Sequence, residues 1–340
     1  MRNYQVLEKE KPEQSGELPL IQLRDVRKYF YKGGLTAGKR QCIKAVDGFS
    51  LDIYQGQNIG LVGESGCGKS TLGRTILNLY PATSGTVTYK GEEIEKLSFR
   101  EMRPYRKEMQ MIFQDPYASL NPRRTIMQSM EEPLELFKIG TKAERRERVI
   151  ELLNEVGIGK EHLEKYPHEM SGGQRQRIAI ARSIILSPHF VVADEPVSAL
   201  DVSVRSQVLN LMKELQKEHN LSYLFISHDL SVVRYLCDRV VVMYLGKVME
   251  WADKHELFDH PAHPYSQALL SAIPVPDVHR KTKRIVLQGD LPSPANPPAG
   301  CVFHTRCRYG TEECKNVCPQ LREIGTGHQV ACHHAEELYT

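Results

Sequence analysis

The sequence predicts an α/β protein with a largely parallel sheet, on three observations. A glycine-rich loop stands between a short apolar run and a helical stretch. Further β-branched runs recur along the chain with helical stretches between them, the alternation from which parallel sheets are built. The middle of the chain carries a long purely helical stretch that reads as an insertion into that alternation.

Taken in order, residues 1–18 are charged, lack an apolar core and read as a mobile lead. Residues 21–26 and 49–53 alternate as strands do, with a Gly- and Lys-containing loop expected at 32–40. Residues 58–62 form a short buried strand. The glycine-rich loop follows, then a helix from Lys69 to about Leu79, which is the strand–loop–helix setting such a loop requires. Residues 86–90 and 109–113 read as strands. From 116 to about 182 the pattern is helical, with alternating charges and helically spaced apolar residues over 141–156. Strands return at 190–193, 223–226 and 239–244, with a helix over 203–219. After Trp251 the composition changes. A turn at His260-Pro261-Ala262-His263-Pro264-Tyr265 leads to a short helix at 267–273 and a strand at 284–287. Leu291-Pro292-Ser293-Pro294-Ala295-Asn296-Pro297-Pro298 then forms a stiff linker before a cysteine-rich tail. The expected organisation is a lead (1–18), a nucleotide-binding domain (19–258, helical subdomain about 116–182) and a C-terminal extension (259–340).

Composition narrows the function classes. A chain of 340 residues with 41% hydrophobic and 7% aromatic content suits a soluble protein with a sizeable core. A formal charge of +3 gives no electrostatic case for nucleic acid or lipid headgroups. No apolar run approaches the ~20 residues that span a bilayer. The charged N-terminus lacks a signal-peptide core, so the chain is expected in the cytoplasm.

Gly63-Glu64-Ser65-Gly66-Cys67-Gly68-Lys69-Ser70 is a full G-x-x-x-x-G-K-S phosphate loop. Gly63, Gly66 and Gly68 let backbone N–H groups curl toward phosphates. Lys69 would bridge the β- and γ-phosphates, Ser70 would ligate Mg2+, and the helix that starts there turns its positive end to the anion. Asp194 closes an apolar strand and can hold the metal through water, and Glu195 follows it directly. Ser171-Gly172-Gly173-Gln174 opens another helix, with Ser171 as N-cap and two glycines that admit a phosphate; it reads as a second anion site.

These motifs, in this order, resemble the ATP-binding subunit of an ATP-binding-cassette (ABC) transporter. The resemblance implies a P-loop ATPase core with an antiparallel β subdomain, an inserted helical subdomain and a small cysteine-rich extension. It implies ATP and Mg2+ as ligands, Glu195 as general base, His228 as the switch histidine at the γ-phosphate, and Gln114 as the glutamine near the metal and the transporter contact. Ser65, Cys67 and Thr71 complete the phosphate-loop contacts. Cys67 is a variable filler position there, one that would leave the site open to thiol reagents. Phe30, or its neighbour Tyr29, stands where this family stacks an aromatic ring on adenine, and Phe30 is the preferred of the two. Ser198-Ala199-Leu200-Asp201 matches the D-loop. In the family each ATP lies between one subunit's phosphate loop and the other's signature, so Ser171, Gly172, Gly173 and Gln174 are expected to act in trans, in an obligate dimer. The family's usual leucine before the signature is Met170 in this chain.

Nearly the whole chain resembles one branch, the oligopeptide and dipeptide permease ATPases. The matching stretches are Tyr166-Pro167-His168-Glu169-Met170 with the signature and Arg175-Gln176-Arg177, Met243-Tyr244-Leu245-Gly246, His263-Pro264-Tyr265, and Asn296-Pro297-Pro298-Ala299-Gly300-Cys301-Val302-Phe303-His304-Thr305-Arg306-Cys307. The tail looks closest to the F type of the paired D and F subunits. That implies a D-type partner ATPase, two membrane permease subunits, an extracytoplasmic peptide-binding protein, and a peripheral place on the membrane's cytoplasmic face. Related importers carry dipeptides, oligopeptides, nickel complexes or glutathione. A DNA-repair ATPase of the superfamily would need long heptad stretches between phosphate loop and signature, and a translation factor would need two cassettes; neither is present.

Of eight cysteines, Cys42, Cys67 and Cys237 are scattered, whereas Cys301, Cys307, Cys314, Cys318 and Cys332 crowd into the last 40 residues. In a cytoplasmic protein such a cluster reads as metal binding before disulfides. The branch's recurring cysteines match Cys301, Cys307, Cys314 and Cys332, and the resemblance favours a 4Fe–4S cluster over Zn2+. Cys318, followed by Pro319, is the alternative fourth ligand. A centre beyond the Pro-rich linker is expected to fold the tail and to leave nucleotide binding at Lys69 and Ser70 untouched.

Overall fold

A computed structural model describes residues 18–32, 41–273 and 284–339; the lead at 1–17 and most of the loop expected at 32–40 lie outside the described residues. In chain order the strands are β1 (Ile21–Lys32), β2 (Gln41–Ile53), β3 (Asn58–Val62), β4 (Ser84–Tyr89), β5 (Glu92–Glu93), β6 (Met109–Ile112), β7 (Phe190–Asp194), β8 (Ser222–Ser227), β9 (Arg239–Tyr244), β10 (Lys247–Asp253), β11 (Arg322–Gly325) and β12 (His328–Val330). A four-stranded antiparallel sheet has the order β2-β1-β4-β5, and an eight-stranded sheet the order β11-β12-β10-β9-β3-β8-β7-β6. In the larger sheet β9, β3, β8, β7 and β6 are parallel. On the side beyond β9, strands β10, β12 and β11 add antiparallel.

Burial follows from this layering. Every residue of β3, β7 and β8 is buried, as parallel strands covered on both faces must be. The helix Val202–Glu218 turns Val208, Leu211, Met212 and Leu215 inward at helical spacing. The phosphate-loop helix, Lys69–Ile76, lies between the two sheets: Gly73 meets Val192 and Ile226 of the parallel sheet, and Leu72 and Ile76 join the core of the antiparallel sheet. Among the helices between β6 and β7, Ile126–Leu136, Lys142–Glu155 and Gly172–Ile184 each start with a reciprocal capping box, Thr125 with Gln128, Thr141 with Glu144 and Ser171 with Gln174. No helix among the described residues is long and apolar enough to cross a membrane.

The C-terminal region departs from the sequence expectation. Residues 284–287 are not a strand; Ile285 N–H donates to Ser271 Oγ (2.9 Å), and Leu287 packs against the core without a ladder. The short helix begins at Pro264 and runs to Ser271, because His263 caps it: its Nδ1 accepts from Tyr265 N–H at 3.0 Å. The tail packs on the main sheet. β12 pairs with β10 of the main sheet, and Cys301, Val302, Phe303 and Cys314 share one core with Tyr244 and Tyr265. Phe303 packs on both tyrosine rings, at centroid distances of 5.3 Å.

Candidate nucleotide site

The phosphate loop leaves β3 and is shaped by glycine where backbone crowds backbone. A Cβ at Gly68 (φ 109°) would lie 1.9 Å from Ala45 O, and one at Gly63 (φ 149°) 2.1 Å from Met243 O, so no side chain fits at either. Gly66 and Ser65 face solvent at the tip. Lys69 is buried, and its ammonium donates to Gly63 O (2.7 Å) and Glu64 O (3.0 Å), which stitches the loop into a ring around the cation. Thr71 follows in the first helical turn, half-buried. Cys67 corrects the expectation of thiol sensitivity. It is 1% exposed, and burial pushes its thiol pKa up, which keeps it protonated and shielded.

Ser70 and Asp194 meet across the sheet, with Ser70 Oγ donating to Asp194 Oδ1 at 2.7 Å. The Asp194 carboxylate is buried at the end of β7, and desolvation raises its pKa although Arg74 lies 3.7 Å away. A hydroxyl beside a buried, incompletely neutralised carboxylate is a donor set that suits a small hard cation. Glu195 comes next, at φ 47°. A non-glycine residue held there is strained by about 1–3 kcal/mol, and such strain persists only where neighbours enforce it. Glu195 N–H donates to Ile226 O (3.0 Å), and its own carbonyl accepts from Ser198 Oγ (3.0 Å) and Ser198 N–H (3.3 Å). The strained turn swings the carboxylate out from the sheet end, where two side chains from other strands meet it. Gln114, just past β6, donates from Nε2 to Glu195 Oε2 at 3.0 Å, and His228, just past β8, places Nδ1 3.2 Å from Oε1. Three residues far apart in sequence thus share one acidic centre beside Ser70 and Asp194.

Ser171 and Gly172 are exposed at the start of their helix. Ser171 Oγ accepts from Gln174 N–H (3.3 Å), and Gln174 Oε1 accepts from Ser171 N–H (3.0 Å). Gly173 is needed for packing, since a Cβ there would lie 2.6 Å from Val204 Cγ1. Asp201 is exposed at the N-cap of Val202–Glu218. Phe30 is 36% exposed and meets Tyr80 edge-on (5.7 Å), whereas the Tyr29 hydroxyl is tied to Asp47. That difference leaves Phe30 as the freer ring of the two.

Three of the tail cysteines lie in the protein interior, and no group of three tail sulfurs among the described residues is drawn together within 4.8 Å. Cys301, Cys314 and Cys332 are buried, and Cys301 N–H donates to Cys314 O at 2.8 Å. Burial, with the neighbouring cysteines adding to it, pushes the thiol of Cys301 up to about 11 and that of Cys332 up to about 12; Cys332 responds to Cys307, Cys301 and Cys314. Cys318 also acts on Cys301, and its sulfur accepts from Lys247 Nζ (3.5 Å). Buried thiols that resist joint ionisation are a donor set that a metal centre would stabilise as thiolates.

Two site residues escaped the sequence reading although both lie in stretches it singled out. Tyr265 Oη accepts from Glu64 N–H (2.8 Å), and Arg306 forms a bidentate pair with the Glu64 carboxylate (2.6 and 3.1 Å). The signal present was their place in the His263-Pro264-Tyr265 and Cys301-to-Cys307 stretches. What was missing was spatial, since Glu64 and Arg306 are 242 positions apart.

Known proteins share the chain's sequence pattern and fold. Residues 46–198 match the ABC transporter family model, and residues 249–314 match the oligopeptide/dipeptide transporter C-terminal region. The chain is 56% identical to the oligopeptide transport ATP-binding protein AppF of Bacillus subtilis, over 92% of this chain and 97% of that one. It is 50% identical to the dipeptide transport ATP-binding protein DppF of Escherichia coli, over 92% and 94%. Among solved structures it resembles a dimeric ATP-binding cassette in a post-hydrolysis state bound to ADP and phosphate, with TM-score 0.62 and 29% identity over 69% of this chain and 98% of that one. The chain therefore belongs to the ABC transporter ATP-binding proteins, in the oligopeptide/dipeptide transporter branch, and is an ABC ATPase.

Proposed function

We propose that this chain is the ATP-hydrolysing subunit that powers import of di- and oligopeptides, seated on the cytoplasmic face of the membrane beneath two permease subunits. The observation that carries this reading is the convergence of Gln114 and His228 on Glu195 beside the Ser70–Asp194 pair, within a chain of which 92% matches peptide-transport ATP-binding proteins.

In this reading Lys69 takes the β- and γ-phosphates in place of the Gly63 and Glu64 carbonyls it now holds, and Phe30 supports the adenine. Ser70 and Asp194 would hold Mg2+, which neutralises charge on the phosphates. Glu195 accepts a proton from the attacking water, and Gln114 and His228 fix its carboxylate and the γ-phosphate position. The products are ADP and phosphate. The exposed Ser171–Gln174 turn supplies its N–H groups to a nucleotide held by a second, D-type cassette, so turnover needs the heterodimer. A groove of about 180 Å³ lined by Leu79, Arg106, Phe113, Ser119 and Arg182, the third of these next to Gln114 in sequence, suits a permease segment. Cys301, Cys307, Cys314 and Cys332 would hold a 4Fe–4S cluster, whose part is to fix the fold of the tail.

The test is reconstitution. The isolated chain should be a weak ATPase. Activity should rise in liposomes with the paired cassette and both permeases, and rise again with peptide and the extracytoplasmic binding protein. Full, peptide-independent activity from a strictly monomeric preparation would refute the assignment.

A further inference from the structure

We propose that the C-terminal extension is a brace on the phosphate loop in the same chain, and that Arg306 is its positioning residue. The proposal rests on reading Gly63–Ser70 as the cradle for ATP phosphates, and concerns what holds that cradle in shape.

The case is made by Glu64, the first residue after Gly63. Each of its polar groups is held. Its N–H donates to Tyr265 Oη (2.8 Å), its carbonyl accepts from Lys69 Nζ (3.0 Å), and its carboxylate receives both Arg306 Nη atoms (2.6 and 3.1 Å). Two of these three partners come from beyond residue 258. The Arg306 side chain is 8% exposed, and its guanidinium also reaches Tyr244 Oη (3.5 Å). Pairing with Glu64 pushes the already high Arg306 pKa further up. A bidentate, largely desolvated pair of this kind fixes orientation as well as charge.

The pair matters for the anion because of what Glu64 would do alone. A free carboxylate on the phosphate loop would repel a triphosphate and could compete for Lys69. Arg306 neutralises it and turns it away, while Tyr265 pins the backbone. The rings of Tyr244, Tyr265 and Phe303 pack together behind the loop and give the brace a rigid footing. Arg306 itself sits in the short turn His304–Arg306, bounded by Cys301 and Cys307. Whatever orders those cysteines therefore also aims the guanidinium.

The experiment measures binding of a fluorescent ATP analogue to the full-length chain, and KM for ATP and kcat in the assembled transporter, for R306Q, R306K, E64Q and the E64Q/R306Q double variant. Iron and zinc content is recorded for each. R306Q should weaken nucleotide binding and raise KM about tenfold, within the ~5–150-fold range of coupling between distinct sites, while kcat at saturating ATP stays within about twofold. R306K should recover part of the loss. E64Q relieves the repulsion, so the double variant should bind better than R306Q alone, a non-additivity that general loosening of the tail would not produce. Wild-type affinity in a folded R306Q protein, or strictly additive effects, would overturn the brace. If R306Q fails to fold, R306K decides: weakened nucleotide binding with kcat within about twofold supports the brace, since lysine keeps the charge but not the bidentate fork, and wild-type affinity in a folded R306K protein overturns it. K69A serves as the control for the cradle. If K69A binds nucleotide like wild type, the cradle reading and the brace both fall; if K69A is impaired and R306Q is not, only the brace falls.

Discussion

Replacing Glu195 with Gln separates chemistry from structure at the acidic centre. The substitution keeps shape and volume and removes one thing, a group that can accept the proton of the attacking water. Its structural cost can be read from the contacts. Glu195 Oε2 accepts from Gln114 Nε2 (3.0 Å) and Oε1 faces His228 Nδ1 (3.2 Å). A glutamine keeps one oxygen for one of these partners and turns an NH2 toward the other, so about one hydrogen bond is lost, worth ~1 kcal/mol. The backbone strain at φ 47° is unchanged, because both residues carry the same Cβ and Cγ. Loss of a general base slows turnover by about 10²- to 10⁴-fold, which is ~3–5 kcal/mol on the barrier. The kinetic loss should therefore exceed the stability loss several-fold. In the assembled transporter, with the partner cassette's site disabled, Glu195→Gln should bind ATP normally, accumulate an ATP-bound dimer and show steady-state ATPase at or below ~1% of wild type. Near-normal ATPase in that background would refute Glu195 as the base. So would a turnover loss no larger than the change in unfolding free energy.

Two further perturbations test other parts of the molecule. Protein purified without oxygen should be brown, with about four irons per chain; Cys301→Ser, Cys307→Ser, Cys314→Ser and Cys332→Ser should bleach it whereas Cys318→Ser should not, and stoichiometric zinc without iron would defeat the cluster. Because Arg306, between Cys301 and Cys307, pairs with Glu64 of the phosphate loop, these bleached variants should also bind nucleotide more weakly, contrary to what the sequence suggested for a tail behind a linker. Acid stability should depend on His263, whose buried ring accepts the Tyr265 N–H and whose pKa burial lowers to about 4. The folded state keeps this ring neutral while the unfolded chain protonates it near 6.5, so stability is complete above pH ~6.5 and falls by up to ~3 kcal/mol as pH drops toward 4. His263→Asn, which keeps a capping oxygen and does not titrate, should flatten urea-unfolding stability across that window; an unchanged acid slope would remove His263 from the account.

The phosphate loop, the signature and the Asp194–Glu195 pair were legible in the sequence because each is a local device. A glycine must stand wherever the backbone nearly touches backbone, a capping serine wherever a helix begins in solvent, and a carboxylate at the end of an apolar strand announces itself by contrast. The central strands were legible for the same kind of reason: β3 and β7 are buried on both faces and read as uninterrupted apolar runs. The short strands β11 and β12 were not, since a three- or four-residue strand has too little pattern to register; β12 is defined by its pairing with β10 and β11 by its pairing with β12. Residues 284–287 misled in the opposite sense: Arg284-Ile285-Val286-Leu287 has strand composition but finds no partner strand. Only the tertiary structure brought Gln114 and His228 onto Glu195, buried Cys67 away from reagents, and closed Arg306 onto Glu64. Each of those contacts joins residues from separate elements, and its energy depends on burial and orientation that no run of neighbouring residues encodes.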